Sequence, residues 1–302
     1  MKVRANKIGI EVEDTGAGAA GQERPVILLV MGMGMQLVAW PAPFIQALVD
    51  AGYRVLRHDN RDVGLSEHFD ALAKPHLIWE SLKFKFGWAL HPPYSVSDMA
   101  ADALGVLDAL GVAQAHVLGV SMGGMIAQRM ALAAPDRVLS LTSVMSSSGA
   151  PGLPQARPEV LRVLLSRPSG RSEQAVVDHY VRLFQTIGSP GYPTPVPQLR
   201  AQIELAVTRG YDPVGTMRQM LAVMADVSRA AQLASLRVPT LVLHGKADPL
   251  LPFAHGQDTA RRISGTRLVG IEGMGHDLPP AVVERLLAEL LPHLSAAGLT
   301  SL

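Results

Sequence analysis

The chain has 302 residues, 48% of them apolar, with 27 basic and 26 acidic side chains for a formal net charge of +1. That balance suits a globular protein with a large core, and without a run of like charge it excludes a nucleic-acid or membrane-surface footprint, leaving a small molecule as the expected partner. No cysteine is present, which excludes disulfides, thiolate metal sites and a thiol nucleophile; residues 1–14 lack the apolar core of a signal peptide and no apolar run reaches membrane-spanning length, so a cytoplasmic protein is expected.

Residues 2–14 read as an antiparallel hairpin at a sheet edge. Short β-branched apolar runs follow at 26–31, 54–59, 115–120, 139–145, 240–244 and 266–271. They alternate with stretches of helical period at 41–51, 97–110, 123–134, 254–263 and 280–297, several of them opened by Pro or Ser. The alternation predicts an α/β fold with a mostly parallel sheet flanked by helices on both faces. Within it, the irregular stretch from Glu67 to Tyr94 carries Trp79, Phe84, Phe86 and Trp88 among Lys74, Lys83 and Lys85; its aromatics suit either the core or a pocket lining, and plain packing for their area is the favoured expectation.

About ninety residues separate Met145 from the next strand at Thr240, too many for a plain loop in a compact domain. Helical stretches at 159–167, 172–187, 198–209 and 214–225, punctuated by Pro and Gly clusters, predict a helical cap domain over residues 148–232, inserted after the sixth strand. Residues 1–147 and 233–302 then form the core domain.

The chemistry centres on Gly119-Val120-Ser121-Met122-Gly123, a G-x-S-x-G pattern with an apolar strand leading in and a helical stretch leading out. Such a turn exposes a serine hydroxyl, and its glycines leave room for backbone that passes close by. Serine becomes nucleophilic when a base takes its proton. His276, in the loop Gly273-Met-Gly-His-Asp277 after the last strand, is the candidate base, because such loops converge on the ligand crevice of a parallel sheet. His244, at a strand end, and His255, opening a helix, suit core or capping roles.

Asp248, just after a strand in His244-Gly-Lys-Ala-Asp-Pro249, is the carboxylate expected to orient the base. The order Ser, Asp, His is the one expected of α/β-hydrolases. The oxyanion that forms during acyl transfer needs two backbone N–H donors. Met122 supplies one, and the loop Gly32-Met-Gly-Met35 the other, with Met33 the first candidate and Gly34 the next. Gly32-x-Gly34 lacks the third glycine and the Lys-Ser/Thr of phosphate loops. Met35 and Met125, with Met33 and Met122, offer an adaptable apolar lining for a substrate pocket.

Several blocks, taken together, resemble the capped α/β-hydrolase esterases, in particular the bacterial carboxylesterases and aclacinomycin methylesterases. They are residues 31–40, 57–66, the elbow at Ser121, 238–248 and 271–276, and the resemblance runs from about Lys7 to His293. It implies a serine esterase that acts on small to medium apolar esters through Ser121, His276 and Asp248, with no metal or organic cofactor. Two departures stand out: Met31-Gly32 where His-Gly is frequent, and Arg61-Asp62 where Arg-Gly is frequent. The second suggests a local structural role for Asp62.

Lactonase, carbon–carbon hydrolase and perhydrolase chemistry share the same triad and stay open as alternatives, as does a catalytically silent ligand-binding homologue. No oligomeric state is legible in the sequence.

Overall fold

The computed structural model describes residues 1–16 and 24–299; residues 17–23 and 300–302 of the expected core segments lie outside the described residues. Among the described residues eight strands form one sheet: β1 (Lys2–Ala5), β2 (Ile8–Asp14), β3 (Val26–Val30), β4 (Arg54–His58), β5 (Ala115–Val120), β6 (Val138–Val144), β7 (Thr240–Gly245) and β8 (Arg267–Ile271). Their order is β1-β2-β4-β3-β5-β6-β7-β8. The β1–β2 hairpin pairs antiparallel with itself and with β4, and every other pairing is parallel.

The helices are α1 (Ala42–Asp50), α2 (Leu77–Lys85), α3 (Val96–Ala109), α4 (Met122–Ala133), α5 (Pro158–Leu164), α6 (Glu173–Ile187), α7 (Val196–Arg209), α8 (Pro213–Ala225), α9 (Arg229–Gln232), α10 (Ala254–Arg262) and α11 (Pro280–Leu299). β3 shows why the sheet is covered on both sides. All five of its side chains are buried, and they alternate between faces. Leu28 and Val30 join residues of α3 and α4 in one apolar cluster, whereas Ile27 and Leu29 join residues of α1 and α11 in the other. α3 starts where Ser95 and Asp98 form a reciprocal capping box.

The chain leaves β3 for β4 on one side and later returns to β5 on the other. The loops after β3 and β5 therefore diverge at the carboxyl edge of adjacent strands, the switch point where α/β sheets bind ligands. Five helices, α5 to α9, lie between β6 and β7, where the sequence predicts four; α9 is the addition. Its Arg229, 1% exposed, bonds Asp226, Gln128 and the Ser147 carbonyl, which ties the end of the insertion to α4.

The stretch from Glu67 to Tyr94 differs from expectation twice. It contains a helix, α2, and its aromatics are not packed: Trp79, Phe84, Phe86 and Trp88 are 51%, 47%, 66% and 57% exposed. Three of them contact one another, Trp79 against Trp88 and Phe86 against Trp88. No residue of α2 is buried, so area alone did not decide their placement.

Candidate active site

Ser121 occupies the turn between β5 and α4 with φ 56° and ψ −121°, a conformation L-residues avoid and a tight strand-to-helix turn imposes. The glycines on either side are required sterically. A Cβ on Gly119 would lie 2.0 Å from the Gly123 carbonyl oxygen, and one on Gly123 would lie 2.0 Å from that of Val30. The turn is held from below by Ser121 N–H donating to the Val144 carbonyl (2.9 Å) and by Ser146 Oγ donating to the Ser121 carbonyl (2.7 Å).

His276 and Asp248 come to this turn from the loops after β8 and β7. His276 Nε2 is 3.0 Å from Ser121 Oγ, and its Nδ1 is 2.7 Å from Asp248 Oδ2. The other oxygen, Asp248 Oδ1, accepts the backbone N–H groups of Leu250 (2.9 Å) and Leu251 (2.8 Å). Burial by itself would raise the Asp248 pKa, but the adjacent His276, then His244 and the Leu251 N–H, outweigh it and hold the carboxyl below its ordinary range. An ionised Asp248 fixes the proton of His276 on Nδ1 and leaves Nε2 free to accept from serine. His244 is fully buried, bonded to the Leu251 carbonyl (2.7 Å), with its pKa lowered by burial; His255 joins Ser147 Oγ and the Pro154 carbonyl.

The inserted helices hold the histidine loop directly. His276 N–H donates to the Ile187 carbonyl (2.7 Å), Gly191 N–H to the Gly273 carbonyl (2.9 Å), and Gly275 N–H to Ser189 Oγ (2.8 Å), whose hydroxyl in turn bonds Asp277. Burial raises the Asp277 pKa.

The loop after β3 lies against the nucleophile: a Cβ on Gly32 would sit 3.3 Å from Ser121 Cβ and 3.8 Å from Oγ. Residues 32–35 form a tight turn in which Met35 N–H donates to the Gly32 carbonyl (3.1 Å) and Gly34 takes φ 68°. Gly34 N–H donates to Gln219 Oε1 (2.8 Å), so it is not available to an oxyanion. Among the described residues Met33 N–H has no acceptor, and Met122 N–H is one of the unpaired donors at the start of α4. Met125 is buried in the cluster on which Met33 packs, together with Met122, whereas Met35 packs on the opposite cluster. The two expected pocket methionines thus pack on different apolar clusters.

Asp62 has a structural role that is local in part and long-range in part. At φ 64° it receives both Nε and Nη2 of Arg218, 156 residues on in α8, each at 2.8 Å, along with Tyr94 Oη (2.7 Å) and Phe69 N–H (2.8 Å). His68 and Asp212 stand close by, within the spacing a metal could use, and Arg218 supplies positive charge there. Nothing in the sequence marks Arg218, Gln219 or Ser189, because each finds its partner across more than eighty residues. A cavity of about 520 Å3 is lined by inserted residues including Arg171, Glu173, Thr208 and Tyr211, and no triad residue reaches it.

With this sheet and turn in place, a family model described as the alpha/beta hydrolase fold matches residues 25–186, and the chain belongs to that family. Among its relatives, a rhodomycin D methylesterase of Streptomyces sp. (strain C5) is 33% identical over 291 residues, covering 90% of this chain and 91% of the relative. A putative carbamate hydrolase of Variovorax paradoxus is 27% identical over 276 residues, covering 90% and 93%. Of the solved structures, the S103A mutant of a meta-cleavage product hydrolase from Pseudomonas fluorescens IP01 shares the fold with a TM-score of 0.76 at 18% identity, covering 98% of each chain. The protein is accordingly a hydrolase of the esterase type.

Proposed function

We propose that the protein hydrolyses small to medium apolar carboxylic esters through an acyl-enzyme formed on Ser121. The observation that carries this reading is the unbroken chain from Ser121 Oγ through His276 to Asp248, at 3.0 and 2.7 Å. His276 takes the hydroxyl proton as Oγ attacks the ester carbonyl, and the resulting oxyanion accepts from the N–H groups of Met122 and Met33. When the tetrahedral intermediate collapses, His276 returns the proton to the departing alcohol. Water then attacks the acyl-serine with His276 as base, releasing the acid and restoring the hydroxyl. The inserted helices cap the site, and the methylesterase relatives support an ester as substrate. Met33, half-buried beside the methionines of α4, supports an apolar lining on the acyl side.

The test pairs a fluorophosphonate probe with p-nitrophenyl esters of graded acyl length. Wild-type protein is labelled and turns over the shorter esters. Ser121→Ala folds with an unchanged melting temperature, takes no label and loses turnover by about 10⁴-fold or more. Ester turnover by Ser121→Ala at the wild-type rate would remove Ser121 from the chemistry.

A further inference from the structure

We infer that Gln219, on inserted helix α8, is a positioning residue for the oxyanion hole, acting by fixing the turn that presents Met33 N–H. The inference rests on the oxyanion role proposed for Met33. Gln219 is fully buried, and its amide bridges two core loops: Oε1 accepts Gly34 N–H at 2.8 Å and Nε2 donates to the Arg61 carbonyl at 2.8 Å. Both ends of the amide are used, so its orientation is determined.

The geometry explains what this bridge does. Peptide groups are planar, so the direction of Met33 N–H is set by the plane that also holds the Gly32 carbonyl. That carbonyl is anchored by Met35 N–H within the turn. The next plane, containing the Met33 carbonyl and Gly34 N–H, is hydrogen-bonded among the described residues only to Gln219. With both planes held, the backbone angles of Met33 are determined. Without Gln219 the second plane is free to rotate, because Gly34, at φ 68°, tolerates the alternatives that an L-residue would resist.

Two neighbours keep Gln219 in register. Arg218, one residue earlier, is 1% exposed and forms the bidentate pair with Asp62. Thr216, one turn back, packs on Gly34 so closely that a Cβ there would lie 2.9 Å from Thr216 Oγ1. Helix α8 therefore grips the loops after β3 and β4 through Thr216, Arg218 and Gln219. An oxyanion donor contributes most when it is already aimed before the charge develops, and Gln219 provides that preorganisation from outside the core domain.

The experiment compares Gln219→Met, which keeps an unbranched side chain but removes the amide, with Gln219→Glu, which keeps an acceptor for Gly34 N–H. It measures kcat and KM on a p-nitrophenyl ester and Ki for a trifluoromethyl ketone, whose serine adduct carries the oxyanion. Gln219→Met is expected to lose about 10- to 100-fold in kcat, less than deleting a donor outright, with KM within about twofold. Ki is expected to rise in step with the loss of kcat, and Gln219→Glu to retain more activity than Gln219→Met. Wild-type kcat and Ki in Gln219→Met overturn the inference, as does a loss of kcat with Ki unchanged. If Gln219→Met does not fold, Gln219→Asn, whose shorter amide withdraws from Gly34, gives the same comparison under the same criteria. Met33→Pro, checked for folding, separates the two levels. Near-normal kcat there removes the oxyanion role of Met33, whereas a large loss there with none in the Gln219 variants removes only the positioning role.

Discussion

Replacing Asp62 with asparagine isolates the charge of the link between the inserted helices and the core. The side chain keeps its size, and asparagine accepts the positive φ of 64° that this position requires. What is lost is the anion opposite a guanidinium that is 1% exposed and bonded through both Nε and Nη2. Breaking a buried pair from one side costs about 3–5 kcal/mol because the remaining charge stays desolvated, and the amide oxygen still accepts one N–H, which places the cost near 3. An unfolding entropy of about 2 cal/mol/K per residue over this chain is about 0.6 kcal/mol/K, so the melting temperature is expected to fall by about 5 °C. Differential scanning calorimetry at neutral pH measures it. Asp62→Asn combined with Arg218→Met, which removes the buried cation along with its lost partner and leaves Asp212 to His68, is expected to recover at least half of the loss. A melting temperature within about 1 °C of wild type in the single variant would refute the reasoning, because it would mean the pair contributes no more than a surface ion pair.

Asp248→Asn is expected to lower kcat by about 10³–10⁴-fold, since a neutral amide no longer fixes the Nδ1 proton of His276. The melting temperature should change little, because the amide oxygen still accepts Leu250 and Leu251 N–H; steady-state kinetics with a thermal melt checks both, and near-wild-type kcat would assign the orienting carboxylate elsewhere. His58 and His116 make stability depend on pH, because burial pushes both from an ordinary 6.5 down to about 4. The unfolded chain binds these protons first, so the folded state keeps its full advantage above about pH 6.5 and loses it as pH falls towards 4. At pH 5 the cost is about 2 kcal/mol for each histidine relative to pH 7, read from urea unfolding at the two values. Unfolding free energies that agree between pH 7 and pH 5 would contradict it.

The parts of the molecule that were legible in the sequence are those whose physics is local. β3 announces itself as five consecutive apolar residues because both faces of a central strand are covered. The elbow is legible because its steric demands fall on residues two positions from the serine. The positions of His276 and Asp248 are legible from their places after strands, where a parallel sheet gathers its loops. The exposed aromatics of residues 79–88 were misjudged because burial is a property of neighbours, which periodicity and composition do not contain. Asp62 is the intermediate case. Its departure from glycine signalled a special role, yet the partner that explains it lies 156 residues away.

That separation has a consequence for the inserted helices. Here two ingredients of the proposed chemistry are bonded to the insertion: the histidine loop through Ile187, Ser189 and Gly191, and the oxyanion turn through Gln219. The backbone of the nucleophile, by contrast, is bonded to Val144 and Ser146, outside the insertion. Changes in the insertion should therefore act differently from changes in the elbow. A substitution along 187–191 or 216–219 leaves the serine in place while misaligning the base or the oxyanion donor, so it alters kcat as well as substrate choice. Several of the hydrogen bonds that join the insertion to the core are made to the histidine loop and the oxyanion turn of the proposed chemistry, so the packing of the insertion bears on how those groups are aimed.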